Sequence, residues 1–373
     1  MEPSILSDMP FADFLDQVQD GLYIVDTSGA IVFWNRAAEE LTGFSASAAL
    51  GKSCRDQDLL GYRTVTGEDL GTVEASPLLR CMASGAGGTV PHLVVARSAT
   101  GRPLPLSLSV SPLKGRNGSL RGAVALFHGM REEYQQRKLA VEIQKRTITS
   151  RGFTRNGVRV ETLFSPVDEI GGDFVEAFFL DDHTLIATLA DATGHGISAS
   201  LFTMAYKTLL HATLAQRQTP GGILEQVNTS FLESAGIDGY YIGACVVRYD
   251  TARRRGTYAS AGHPPGLVLR PEGTGARVRA EIVTRSPMLG MNDAARFVEV
   301  EFELAAGERL LLVSDGITEA RVTGGEQLGV AGLDSFFRHY EGSSPLPDLL
   351  SRIQGYGSGR AADDMSAMLV SPD

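Results

Sequence analysis

The sequence predicts an α+β protein of two domains joined by a helix, and three observations lead there. A chain of 373 residues is longer than one ordinary core covers. Strand-like apolar runs recur in both halves, and in the second half a single helix pair is set among many strands, as in sheets covered by helices. Between these regions, residues 131–150 lack proline and glycine and are rich in helix formers. The predicted boundaries are 10–130 for the first domain, 131–152 for a helical linker and 153–373 for the second domain.

Composition narrows the function. Hydrophobic residues at 43% and charged residues at 21% are ordinary for a soluble globular protein. A net charge of -10 argues against a nucleic-acid binder, whose affinity for phosphate backbones comes mainly from lysine and arginine. It leaves a phosphorylated substrate open, because bound metal supplies positive charge locally. Cys54, Cys81 and Cys245 form neither a disulfide framework nor a Cys-x-x-Cys pair, which points to a reducing compartment. The amino-terminal Met-Glu-Pro-Ser-Ile-Leu lacks the basic and apolar regions of a signal peptide. No apolar run approaches the ~20 residues of a spanning helix, so a cytoplasmic location is the expectation.

In the first domain Phe11, Phe14, Leu15 and Val18 alternate with polar residues as a short amphipathic helix. Leu22 to Val25 and Ala30 to Trp34 read as a hairpin around Asp26-Thr27-Ser28-Gly29. Asn35 is placed to cap a helix from Arg36 to Leu41 that ends at Gly43, and a shorter helix stops at Gly51. Thr89 to Ala96, Leu104 to Leu113 and Leu120 to His128 supply further strands, with Gly101-Arg102 and Asn117-Gly118 at the turns. The run from Asp26 to Ser45, followed by Leu50-Gly51-Lys52, resembles the opening of a PAS sensor domain. That resemblance implies an antiparallel sheet with flanking helices. Cys54 stands where flavin-binding members carry a reactive cysteine, but Asp56-Gln57 replaces the expected Phe-Leu-Gln, and neither His92 nor His128 has a haem-ligand context. The PAS ligand is left unknown.

In the linker, Phe127, Tyr134, Val141 and Ile148 recur every seven residues, hinting at a coiled-coil seam between two copies. A solvated connector helix is the competing reading. Either joins the sensor to the second domain, and a homodimer through the PAS domain and linker is the expectation.

The second domain centres on Leu185 to Gly196, an apolar strand that breaks at Asp191-Ala192-Thr193-Gly194-His195-Gly196. Phe174 to Leu180 forms a hairpin with it, preceded by Gly171-Gly172-Asp173. Ile197, Leu201, Met204, Thr208, Leu209 and Ala212 mark one helix face. Thr219 and Pro220 open the next helix, which carries Ile223, Leu224, Val227 and Phe231. Strands follow at Tyr240 to Tyr249, Gly256 to Ala261, Gly266 to Leu269, Arg277 to Val283, Arg296 to Leu304 and Arg309 to Ser314. Asp315-Gly316 closes that last strand, and Asp363-Asp364 leads into another, Ala367 to Val370. A single Asp-x-x-Gly reads as a turn. Several strand-end acids with glycine beside them instead suit a hard divalent cation, which needs oxygen ligands and close backbone approach.

Gly171-Gly-Asp-Phe, Asp191-Ala-Thr-Gly-His-Gly, Ala261-Gly-His-Pro-Pro, Ser314-Asp-Gly-Ile-Thr-Glu and Asp363-Asp-Met-Ser together resemble the SpoIIE-like branch of the metal-dependent protein phosphatases (PPM, protein phosphatase 2C-like). The resemblance implies an α-β-β-α sandwich with two Mn2+ or Mg2+ ions between the sheets. Asp191 would bridge both ions and the Ala192 carbonyl would be a further ligand. Asp173 and Asp363 would belong to one metal and Asp315 to the other. A bridging water would attack phosphorus in line, without a phosphoenzyme. The implied activity is a sensor-regulated serine/threonine phosphatase acting on a phosphorylated anti-sigma-factor antagonist. A metal-dependent phosphodiesterase and a non-catalytic PAS-containing scaffold are the alternatives.

Four further residues stand beside these motifs, two of them with two readings. His195 either serves the site as a general acid or positions its turn, and His263 reads as a structural loop residue. Glu319 either assists outer waters or caps, and Asp364 contributes hydrogen bonds beside Asp363. The family pattern has an acid in Phe-Tyr-Asp after Gly-Gly, whereas this chain has Phe174-Val175-Glu176, which leaves the role of that third position open.

Overall fold

The computed structural model describes the chain except residues 1–10, 56–58, 65–66, 73–74, 88–91, 116, 148–151, 168, 195, 215–218, 323–324 and 357–362. The chain divides into two compact units, Met1–Leu139 and Ala140–Asp373.

In the first unit, α1 (Phe11–Asp16) precedes β1 (Gly21–Asp26) and β2 (Ile31–Trp34). Helices α2 (Arg36–Thr42), α3 (Ala46–Ala49) and α4 (Pro77–Ser84) follow, then β3 (His92–Arg97), β4 (Pro103–Lys114) and β5 (Leu120–Gly129). The strands form one antiparallel sheet in the order β2-β1-β5-β4-β3. Asn35 does two jobs: its side-chain oxygen caps α2 through Ala38 N at 2.9 Å and accepts from Leu22 N at 2.8 Å. Tyr23, Trp34 and Phe127 fill the centre of the core with ring centroids 5.6 to 6.3 Å apart. Helix α4 is an addition to the sequence reading, although Ser76 as cap, Pro77 in the first turn and Gly85 in the left-handed region announce it. The predicted strand start at Thr89 lies outside the described residues.

Helix α5 (Arg131–Thr147) spans the division between the units. Phe127 sits on β5 inside the first core, Val141 is buried, and Ile148 lies outside the described residues. The heptad positions are therefore not one helical stripe, because Phe127 belongs to a strand. The large apolar side chains that α5 exposes are instead Leu139 and Ile143.

The second unit begins with β6 (Phe153–Arg155), β7 (Val158–Ser165), β8 (Asp173–Phe179) and β9 (Thr184–Ala192). Helices α6 (Ile197–Leu214) and α7 (Pro220–Ser234) lead to β10 (Ile242–Asp250), β11 (Arg255–Ala261), β12 (Gly266–Glu272) and β13 (Gly275–Ile282). Then come β14 (Glu299–Glu303), β15 (Arg309–Val313), α8 (Asp315–Thr318), α9 (Gly329–Arg338), α10 (Pro345–Tyr356) and β16 (Met365–Pro372). One sheet has the order β14-β11-β10-β9-β8 and the other β13-β12-β15-β16-β7-β6.

Apolar side chains from both sheets meet in one core: Val175, Leu185, Leu189 and Val247 from the first, Val160, Val268, Leu312 and Met368 from the second. Helices α6 and α7 cover the outer face of the first sheet through Tyr206, Leu210, Ile223 and Phe231. The outer face of the second sheet is covered by α9 and α10 through Leu333, Phe337, Leu346 and Leu349. The result is an α-β-β-α sandwich with a second helical layer beyond the one helix pair read from the sequence. Among the described residues, no helix is long and apolar enough to cross a membrane.

Candidate metal centre

Strand alternation decides which acids meet. Along β9, Leu185, Ala187 and Leu189 enter the core between the sheets, while Ile186 and Ala190 pack toward the helices. Asp191 continues the inward set at the strand's open end. On β8, Val175 and Ala177 point inward and Phe174 outward, so Asp173 shares the inward face, and it pairs directly with Asp191 in the register. The second sheet delivers the others. Ser314 N donates to Ser366 O at 2.9 Å and Ser366 N to Ser314 Oγ at 2.9 Å, fixing the end of β15 against the start of β16. Asp315 follows the first of these segments, and Asp363 and Asp364 precede the second.

These carboxylates act on one another. Asp173 is 1% exposed, and neither of its oxygens has a hydrogen-bond partner. Burial, and then the charges of Asp364 and Asp315, push its pKa up to about 7, although the nearby Ser366 and Ser314 hydroxyls pull the other way without reaching hydrogen-bond geometry. Burial, followed by the charges of Asp173, Asp315 and Asp363, pushes Asp191 up to about 9. Asp315 is also raised, by burial first and then by Asp363 and Glu319. Among the described residues no group of three or more His, Cys, Asp or Glu side chains is already arranged to hold a metal ion. Like charges have no reason to close to coordination distance without a counter-charge. The donor set is all oxygen, and the buried, unpartnered Asp173 carboxylate is a polar group in need of a cation.

Two braces hold the Gly171-Gly172 segment: Asp364, which the sequence marks as a hydrogen-bonding residue beside Asp363, and Gln144, which it does not mark. Asp364, buried, accepts from Val167 N at 2.7 Å and from Gly172 N at 2.5 Å. Gln144, near the end of α5 and within the second unit, donates from Nε2 to Gly171 O at 2.6 Å and accepts from Gly171 N at 3.2 Å. Gly172 has no room for a side chain, since a Cβ would stand 2.8 Å from Ala199 Cβ and 3.1 Å from the Ala192 carbonyl oxygen. The Ala192 carbonyl thus lies against the same segment.

The other candidates separate. Glu176, an odd number of residues from Asp173 along β8, faces the helices. It receives Lys207 Nζ at 2.8 Å and lies 2.6 Å from His211 Nε2, and Lys207 also donates to Thr147 O at 2.6 Å. Burial works against its ionisation, but the bonds from His211 and Lys207 outweigh that and hold its carboxyl below the usual range. Strand parity alone would have signalled this outward role. Glu319 is exposed beside Asp315, and its N donates to Asp315 O at 2.6 Å. His263 is buried in the loop after β11, with its backbone bonded to Ser260 Oγ at 3.0 Å and Nδ1 3.1 Å from the Pro264 carbonyl. Burial pushes its pKa down to about 4, so the ring is neutral near pH 7. His195 lies outside the described residues.

Comparison with known proteins adds relatives to this geometry. The family described as stage II sporulation protein E (SpoIIE) matches residues 181–373, and the PAS fold matches residues 15–135. Phosphoserine phosphatase RsbP of Bacillus subtilis is 28% identical over 185 residues, 49% of this chain and 45% of that protein. Phosphoserine phosphatase RsbU of the same organism is 22% identical over 200 residues, 53% of this chain and 58% of that protein. The chain thus spans about half the length of these curated relatives. Among solved structures, the SiaA-PP2C domain of Pseudomonas aeruginosa aligns with a TM-score of 0.53 at 20% identity, over 65% of this chain and 97% of that one, a likeness of fold.

Proposed function

Because the chain belongs to the stage II sporulation protein E (SpoIIE) family, whose match spans just over half of it, we propose that it is a metal-dependent serine/threonine protein phosphatase under the control of its PAS domain. The observation that carries this reading is the cluster itself: Asp173 and Asp191 pair across β8 and β9, and the charges acting most strongly on them belong to other carboxylates. Asp173, Asp191, Asp315, Asp363 and the Ala192 carbonyl would hold two divalent cations, Mn2+ or Mg2+. Such cations supply positive charge for phosphate oxygens and acidify a bound water. The chain's own contribution is to place hard oxygen donors from both sheets at one end of the sandwich. Asp364 and Gln144 keep the Gly171-Gly172 backbone in position beside them.

The proposed substrate is a serine-phosphorylated anti-sigma-factor antagonist, supported by the phosphoserine phosphatases RsbP and RsbU among the relatives. A homodimer is supported by the exposed Leu139 and Ile143 on α5, and a cytoplasmic setting by the free thiols Cys54, Cys81 and Cys245. The test is release of inorganic phosphate from the phosphorylated antagonist with and without Mn2+, with Asp191→Asn as control. Metal-dependent release by the wild type and none by the variant is the expected result. Equal release by both would place the chemistry elsewhere.

A further inference from the structure

A patch of exposed apolar side chains borders the carboxylate end of the second unit. Ile197 and Leu201 stand one turn apart at the start of α6, and Leu201 is 60% exposed. Ile237, 59% exposed, and Tyr240 belong to the turn before β10, closed by Tyr240 N donating to Ile237 O at 3.0 Å. The two parts are joined through Phe202, whose ring stacks on Tyr240 with centroids 4.9 Å apart and packs on Phe231 at 5.9 Å. Met291, also exposed, extends the patch: Ile242 and Leu289 exchange backbone hydrogen bonds of 3.1 and 2.9 Å, which lays the following residues beside Tyr240. Scattered apolar residues on a surface need no explanation, but a contiguous group marks an interaction site.

The position of the patch says what covers it. The β9-β10 pairing that sets Asp191 opposite Gly243 runs on past the strand ends. Thr193 N donates to Tyr241 O at 2.9 Å, and Tyr241 N to Thr193 Oγ1 at 3.0 Å. The apolar patch is therefore continuous, through one loop, with the cluster that would bind phosphate. A macromolecule seated on it is therefore held beside the loop that follows Asp191, where a substrate has to present its phosphate. Asp238, next to Ile237, and Asp293, two residues beyond Met291, are both exposed and give the patch an acidic margin.

We propose that this surface docks the folded phosphoprotein substrate, through an apolar face with basic residues at its margin around the phosphoserine. The proposal rests on the phosphatase reading above and adds where the substrate's bulk binds. A small apolar centre with a charged rim is how protein interfaces concentrate their energy.

The experiment uses the full chain with Mn2+ and two probes, p-nitrophenyl phosphate and a serine-phosphorylated anti-sigma-factor antagonist. Leu201→Glu and Ile237→Asp, with the milder Leu201→Ser and Ile237→Ser as a second pair, replace exposed side chains. Each is expected to raise KM for the phosphoprotein by at least about tenfold, with the rate on p-nitrophenyl phosphate and the melting temperature held. Unchanged phosphoprotein kinetics in all four variants would overturn the docking surface and leave the phosphatase reading standing. Loss of both activities together, or a shift of the variants from dimer to monomer in light scattering, would reassign the patch to site integrity or to a second copy. A wild type that releases phosphate from neither probe would overturn the phosphatase reading and the docking surface with it.

Discussion

Gln144 pairs its side-chain amide with both backbone groups of Gly171, two residues ahead of Asp173. The contact brings the end of α5 onto the backbone that presents a candidate ligand. Any displacement of that helix end must either carry Gly171 with it or strand two buried polar groups. An orphaned buried donor or acceptor costs about 1–3 kcal/mol.

Gln144→Ala is expected to raise the Mn2+ concentration for half-maximal activity about tenfold, with the fold retained. Metal titration of phosphate release, together with thermal denaturation, checks this. An unchanged metal requirement would show that Gln144 is only packing.

Asp364→Asn tests the other brace. The carboxylate receives Val167 N and Gly172 N on its two oxygens, whereas an amide has one acceptor and would turn a donor toward a donor. Metal affinity is expected to fall about 10–100-fold, as when an outer partner of a ligand is removed. Calorimetric Mn2+ titration measures it, and wild-type affinity in the variant would contradict the bracing role.

Gly316→Ala tests the junction of the two acidic segments. A Cβ on Gly316 would overlap the Asp364 carbonyl oxygen and crowd Asp363, so Asp315 or the Asp363-Asp364 pair must move. The expected outcome is a drop in melting temperature together with loss of metal binding. A crystal structure of the variant with all these residues in place would refute the close-approach argument.

The metal-free protein is expected to lose stability as pH rises. The folded-state pKa values of Asp173 and Asp191 lie near 7 and 9, above the unfolded aspartate value of about 3.9. Their contribution is therefore fully present below about pH 4 and is lost as pH climbs through 7 and then 9. Glu176 and His263 have the opposite sign, each losing its contribution as pH falls, His263 below the free imidazole value of about 6.5. The buried Cys245 thiol adds a loss only from about pH 8.5, so the window from about pH 7 to 8 reports chiefly on the cluster. Melting temperature across that window should fall in chelator, fall less in Asp191→Asn, and be restored by Mn2+ most strongly at the alkaline end. A flat profile in chelator would mean that the carboxylates do not burden one another.

Much of this was legible in short-range pattern. The Asn35 cap, the β8-β9 hairpin ending at Asp191, and helices α6 and α7 all rest on propensity and spacing within a few residues. Two further segments carry comparable signals. Leu333, Phe336 and Phe337 in α9, and Leu346, Leu349 and Ile353 in α10, carry the spacing of buried helix faces. They form the helical layer that the single predicted pair omitted.

By itself the sequence determined where strands stop at acids, which residues cap helices, and the order of motifs that marks the family. Only the tertiary structure decided which acids share a face and what braces them. Gln144 meets Gly171 across 27 positions, and Asp364 meets Val167 across 197. No local preference encodes such contacts: they follow from sheet pairing and from which side of each strand is inward, once the two sheets close on a common core.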